Sequence, residues 1–165
     1  MSIIHTQFLQ EALKNAHLAA AKGEVPVGAV IVRNNELITS GYNLKETLND
    51  CTAHAELLAI KQAQSVLGNW RLTGCTLYAT LEPCPMCMGA ILHARIDKVV
   101  YGAKDLKWGA CGTQIDLSCP GRFNHYTESV FIETPECSDI LTDFFRKRRN
   151  RGSRGIIPLG EVRYI

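Results

Sequence analysis

The feature that most constrains this chain is a pair of short motifs that make chemical sense only if the fold brings them to one point. His54-Ala55-Glu56 carries an imidazole and a carboxylate, and Pro83-Cys84-Pro85-Met86-Cys87 carries two thiols at metal-ligand spacing. Together His54, Cys84 and Cys87 leave a tetrahedral zinc one ligand short, and that open position is where catalytic zinc holds water. Glu56 then stands as an acid/base beside that water. A structural zinc needs a fourth cysteine or histidine at knuckle-like spacing, and none is evident. Alone, each motif is weak: His-x-Glu occurs by chance, and Cys-x-x-Cys also marks structural half-sites and redox pairs. The pair reads as metal-assisted hydrolysis.

The pattern along the chain says how the motifs are carried. Apolar residues at helical spacing predict a helix over residues 6–22, ended by Gly23. Residues 27–33 and 36–42 are strand-like and joined at Asn34-Asn35, a hairpin-type turn, and residues 43–52 read as a polar loop. A helix is expected over 53–67, a buried strand over 75–80 and a helix over 84–94 with proline in its first turn. Strands at 98–103 and 128–132 flank a long irregular connection, 105–124. Thr134 is placed to cap a last helix that starts at Pro135 and runs to Asn150. The expected architecture is a single α/β sheet layered between helices, with no second domain. Both motifs open helices, so the two cysteines share one helix face, and Glu56 falls roughly 200° around a regular helix from His54. His54 must reach the thiols from the preceding helix, across an intervening strand.

Composition excludes several classes. With 165 residues, 46% hydrophobic and 21% charged, the chain is long enough for one domain with a real core. No apolar run approaches the roughly 18 residues of a membrane span. Residues 1–5 show no basic-then-apolar leader, so a cytoplasmic protein is expected. Seven cysteines do not read as a disulfide framework in such a chain; Cys51, Cys75, Cys111, Cys119 and Cys137 are expected as free thiols in or near the core. The net charge of +2 hides an asymmetry: Arg146, Lys147, Arg148, Arg149, Arg151 and Arg154 put six positive charges within nine residues, on a body that sums to −4 without them. Such a run is either a solvated end or a phosphate-binding surface.

At these residues the chain resembles the cytidine deaminase-like zinc deaminases. Thr52-Ala53-His54-Ala55-Glu56, Thr80-Leu81-Glu82-Pro83-Cys84, Tyr101-Gly102-Ala103-Lys104-Asp105, Phe123-Asn124-His125 and Asp143-Phe144-Phe145-Arg146 are similar to the bacterial branch acting on tRNA adenosine. The resemblance runs from about Phe8 to Asn150, so residues 1–150 are taken as the deaminase domain and 151–165 as a tail. It implies a three-layer α/β/α domain with a five-stranded mixed sheet, one zinc per subunit and a homodimer with its active sites near the interface. It further implies deamination of the wobble adenosine of an arginine tRNA anticodon to inosine. In that scheme His54, Cys84 and Cys87 hold zinc, and Glu56 protonates N1 of a flipped adenine and then the departing amine. Asn43 matches a residue contacting the nucleoside, the Ala55 N–H points at the base edge, and Val25 and Pro26 line the pocket. Phe144 and Phe145 beside Arg146, Arg148 and Arg149 combine stacking faces with phosphate-binding charge, as an unpaired RNA loop requires, with at least one phenylalanine packed in the core.

Some positions keep two readings. Asn43 and Asp105 also suit local turns, His125 a structural role, and His17 and His93 packing or surface; His5 is expected to be terminal and mobile. Trp108 stands where the family commonly carries a small or polar residue, and Cys111, Cys119 and the tail from Ser153 also depart from the usual pattern. Two other functions share the zinc motifs: a deaminase of a free base or nucleoside, for which the basic end has no task, and a zinc-stabilised RNA-binding subunit, for which Glu56 has none.

Overall fold

The computed structural model describes residues 3–152, so all of the expected tail beyond Gly152 lies outside the described residues. The elements are α1 (Ile3–Ala21), β1 (Gly28–Arg33), β2 (Glu36–Tyr42), α2 (Lys45–Leu48), α3 (Ala55–Leu67), β3 (Cys75–Ala79), α4 (Pro85–His93), β4 (Lys98–Tyr101), β5 (Glu128–Phe131) and α5 (Pro135–Gly152). They form one five-stranded sheet in the order β2-β1-β3-β4-β5. β1 is antiparallel to both β2 and β3, whereas β3, β4 and β5 run parallel. The mixed sheet agrees with the sequence.

Alternation along the strands assigns the layers. Side chains two apart share a face, so Ala29 and Ile31 join Leu77, Ala79, Val99 and Tyr101 in a core under α3 and α4. Val30, Val32, Tyr78 and Val100 face the other way, against Phe8, Leu9 and Ala12 of α1. Leu13 and Ala16 of α1 then meet Cys137 of α5. The hairpin turn holds Asn34 and Asn35 at φ 52° and 62°, the left-handed pair that a two-residue turn between twisted strands requires.

Several expectations need correction. The loop after β2 contains the short helix α2, tied down by Glu24 rather than by any apolar stripe, and so invisible to periodicity. Helix α3 starts at Ala55 and not Ala53, because the backbone of His54 is extended (φ −78°, ψ 151°). Thr134 does not cap α5 with its hydroxyl, which donates instead to Ile132 O at 3.0 Å. Helix α5 runs two residues past Asn150. Cys75, Cys111 and Cys137 are buried free thiols, but Cys51 and Cys119 are exposed. His5 lies in the first turn of α1, with Nδ1 2.8 Å from the Tyr78 hydroxyl, so it is anchored.

Two glycines set how closely helices approach the sheet. A Cβ on Gly28 would lie 2.1 Å from Ala12 O and 2.5 Å from Ala16 N in α1. One on Gly41 would lie 2.4 Å from Ala55 O and 2.8 Å from Ala59 N, at the start of α3. These neighbours are backbone atoms and cannot step aside. Gly41→Ala must therefore push α3 off β2, and thermal or urea unfolding should record a loss of about 1–3 kcal/mol.

Candidate metal centre and active site

Strands β2 and β3 are both antiparallel to β1, so their carboxyl ends lie at the same edge of the sheet. The helices that follow them, α3 and α4, begin at that edge. His54 is the N-cap residue of α3 and Cys84 that of α4; both have extended backbones and neither side chain caps its own helix. Cys87 sits in the first turn of α4 and is fully buried. The two cysteines stand three residues apart, at the N-cap and in the first turn of α4, and both sulfurs reach one point as expected.

His54 Nδ1 lies 3.7 Å from Cys84 Sγ and 3.5 Å from Cys87 Sγ. All three donor atoms fall within 4.8 Å of one another. Bonds of about 2.0 Å to nitrogen and about 2.3 Å to sulfur, meeting at a tetrahedral angle, separate the two donors by roughly 3.5 Å. The spacing thus fits zinc, with Nδ1 as the histidine donor. The ionisation state fits too. Hydrogen bonding from the Cys87 thiol, resisted by burial and aided by His54, brings Cys84 down to about 4. The same contact with Cys84, together with burial, pushes Cys87 up. His54 is raised, chiefly by its hydrogen bond with Cys84. A divalent cation at the centre of this triad favours the thiolate form of both cysteines.

Glu56, in the first turn of α3, is 4% exposed and carries the opposite message. Burial pushes its carboxyl up to about 7, against hydrogen bonds from its own N–H and the Cys87 thiol and the nearby His54. Its contact with Cys87 puts it beside the donor triad. As the first residue of α3, Ala55 has an N–H with no acceptor inside the helix.

The residues expected at the pocket edge form one cluster. Asn43 is buried; its Nδ2 donates to Val25 O at 3.3 Å and its N–H to Val27 O at 3.0 Å. Leu44 N–H in turn donates to Ala53 O at 3.0 Å, tying this wall to the residue before His54. Pro26 is buried and Val25 partly so. Sequence reasoning missed Glu24, whose buried carboxylate accepts N–H bonds from Glu46 (3.2 Å) and Thr47 (2.6 Å) and so holds α2 against this wall. Although burial opposes it, hydrogen bonding from Thr47 and Glu46, with Arg148 nearby, keeps Glu24 below the usual carboxylate range. In the sequence its only signal was its place next to Val25.

The remaining expected residues divide. Asp105 Oδ1 accepts the N–H groups of Lys107 (2.9 Å) and Trp108 (3.0 Å), a local turn. His125 Nε2 lies 3.2 Å from Ile96 O, a structural contact. Phe144 is half-buried and Phe145 is 43% exposed, so neither enters the core as expected. Helix α5 packs by Cys137 and Ile140, one turn and more before them. The two rings meet edge to face, 5.5 Å apart. Phe144, Lys147 and Arg148 line an open groove of about 810 Å³ between α1 and α5 that extends to Gly23, beside the pocket wall. Arg146 is exposed and paired with Asp143 at 2.7 Å.

Comparison with known proteins agrees with this geometry. Residues 2–103 match the model of the cytidine and deoxycytidylate deaminase zinc-binding region. A tRNA-specific adenosine deaminase of Bacillus subtilis is 50% identical over 145 residues, covering 87% of this chain and 90% of its own. One of Aquifex aeolicus is 45% identical over 143 residues, covering 87% and 95%. A solved tRNA:A34 deaminase, studied for A-to-I editing at the wobble position, superposes with a TM-score of 0.75 at 40% identity, covering 82% of this chain and 99% of that one. A Bacillus subtilis guanine deaminase gives 0.60 at 33% identity, covering 95% and 98%. With three zinc donors and a buried carboxylate gathered at two helix starts, and with relatives of this kind along almost its whole described length, the chain belongs to the zinc-dependent deaminases of the cytidine deaminase fold, in the tRNA-specific adenosine deaminase family.

Proposed function

We propose that this chain converts adenosine to inosine at the wobble position of a tRNA anticodon, that of an arginine tRNA, releasing ammonia. The observation that carries the chemistry is the convergence of His54, Cys84 and Cys87 beside the buried Glu56. In this reading those three residues hold zinc, which when bound supplies a water acidified for attack on C6 of adenine. Glu56, raised to about 7, both accepts and gives up a proton near neutral pH. It takes one proton from the attacking water and delivers it to N1, then takes the second from the hydroxyl added at C6 and passes it to the departing amine. The Ala55 N–H meets the base edge, while Asn43, Val25 and Pro26 form the wall that accepts the flipped nucleoside. A purine must leave its stack to reach so enclosed a carboxylate, which suits an unpaired loop.

The RNA is held by the far end of the chain. Arg146, Arg148 and Arg149 meet phosphates and the exposed face of Phe145, with Phe144, stacks on a base; Asp105 lies on the opposite rim. The proximity of Arg148 to Glu24 supports this reading, because it sets the basic end of α5 next to the pocket wall. Residues 1–150 make up the deaminase domain in this scheme, working in the cytoplasm as a homodimer with one zinc per subunit. No described helix is long and apolar enough to cross a membrane.

The test is a tRNA transcript with adenosine at the wobble position, assayed for inosine with zinc-loaded protein. Inosine is expected; no inosine alongside turnover of guanine or another free base overturns the tRNA reading in favour of the small-molecule one. Glu56→Gln should keep its zinc, measured by metal analysis, while its turnover falls roughly 10²–10⁴-fold. Cys87→Ser should lose zinc stoichiometry itself. Replacing Arg146, Arg148 and Arg149 together by alanine should raise KM for the anticodon stem-loop and flatten its dependence on salt, leaving zinc content unchanged.

A further inference from the structure

Glu82 takes no part in the chemistry above, yet it is 1% exposed, and a buried carboxylate needs hydrogen-bond donors to be tolerated. Its donors are three backbone amides of the connection after β4. Oε2 accepts the N–H of Asp105 at 3.2 Å; Oε1 accepts those of Cys111 at 2.9 Å and Thr113 at 3.2 Å. Gly109 lies directly against the carboxylate: a Cβ there would stand 2.4 Å from Oε2 and 2.6 Å from Asp105 O. Main-chain bonds run alongside, from Glu82 N–H to Ala103 O (2.8 Å) and from Ala110 N–H to Pro83 O (2.9 Å). The residues just before Cys84 are thus laced to residues 103–113 along both edges.

The laced segment presents a turn to solvent. Asp105 folds it through the N–H groups of Lys107 and Trp108, leaving Leu106 74% and Trp108 66% exposed, with the exposed Lys107 between them in the chain. An exposed indole and a lysine on one turn suit an unpaired base and its phosphate. Leu106 and Trp108 give the turn no apolar anchor; beside the main-chain bonds and the buried Ala110 and Cys111, the Glu82 carboxylate is the side chain that ties it to the Cys84 loop.

We propose that Glu82 is a positioning residue for the substrate-gripping rim: by holding the 105–113 segment against the Cys84 loop, it governs how tightly RNA is bound rather than how zinc is held or how fast the base reacts. This rests on the tRNA reading above. Gly109 belongs to the same device, as the residue whose missing side chain makes room for the carboxylate.

The experiment uses the full-length, zinc-loaded protein and an anticodon stem-loop containing adenosine at the wobble position. Glu82→Ala is expected to raise KM about tenfold or more while kcat stays within about threefold, with zinc still at one per chain. Amide exchange should quicken at Asp105, Cys111 and Thr113. Glu82→Gln keeps an oxygen for the Cys111 and Thr113 donors but turns an NH2 toward the Asp105 N–H, so its effect should be intermediate and its faster exchange centred on Asp105. Gly109→Ala should act in the same direction as Glu82→Ala, and the double variant should lose less than the sum of the two, because removing the carboxylate vacates the space the new methyl needs. If Glu82→Ala does not fold, Glu82→Gln and Gly109→Ala carry the test. An unchanged KM, a fall in kcat alone, loss of zinc or strictly additive effects in wild-type-like folded variants would each overturn the proposal. A wild-type protein that makes no inosine from the stem-loop would instead overturn the substrate reading, and with it the RNA-holding role of Glu82.

Discussion

The structure depends on one convergence, that of the starts of α3 and α4 upon His54, Cys84 and Cys87. β1, lying between β2 and β3 and antiparallel to both, is what makes it possible, because it leaves the carboxyl ends of its two neighbours at the same edge. Each N-cap residue here spends its side chain on the shared centre instead of on its own helix. The free N–H groups and positive ends of both helices therefore face a cluster of thiolate and carboxylate groups, which they favour. The close seating of α3 on Gly41 keeps this arrangement in register.

Three glutamates are buried among the described residues, and they differ in the donors each one finds. Glu24 receives amide bonds from the start of α2 and stays charged despite burial. Glu82 receives three and laces the rim. Glu56 meets its own N–H, the Cys87 thiol and His54, but desolvation outweighs them and lifts it toward neutrality. The carboxyl that desolvation lifts is the one suited to moving protons, while the other two tie down backbone, Glu24 the start of α2 and Glu82 the 105–113 segment.

Gly23 and Arg148 line one groove between α1 and α5, whose acidic side chains Glu136, Asp139 and Asp143 face Lys147 and Arg148. In the tRNA reading proposed above, the basic end of α5 near Glu24 is the surface that a free purine would leave idle. A Bacillus subtilis guanine deaminase shares this scaffold at 33% identity, so the fold alone does not decide the substrate.

Much of this was legible in the residues. Alternation in β1 and β3, the Asn34-Asn35 turn, Gly68 after α3 and Pro85 at the start of α4 are local signals, and the elements they mark stand where they were expected. The ligand identities were legible too, because zinc chemistry restricts donors to few residue types. What the chain alone could not show was decided by groups distant in sequence. Extended backbones at His54 and Cys84 replaced the expected helical geometry; α2 exists because Glu24 caps it; and Phe144 and Phe145 remain outside the core because α5 is anchored by Cys137 and Ile140. The role of Glu82 was likewise hidden, since nothing in Leu81-Glu82-Pro83 tells that its partners are amides more than twenty residues ahead. Sequence by itself determined which atoms do the chemistry, since ligand type and helix-start signals are local; only tertiary structure decided where those atoms face, which carboxyl desolvation lifts, and which loops are held for a substrate, because burial and backbone hydrogen bonding are properties of the assembled chain.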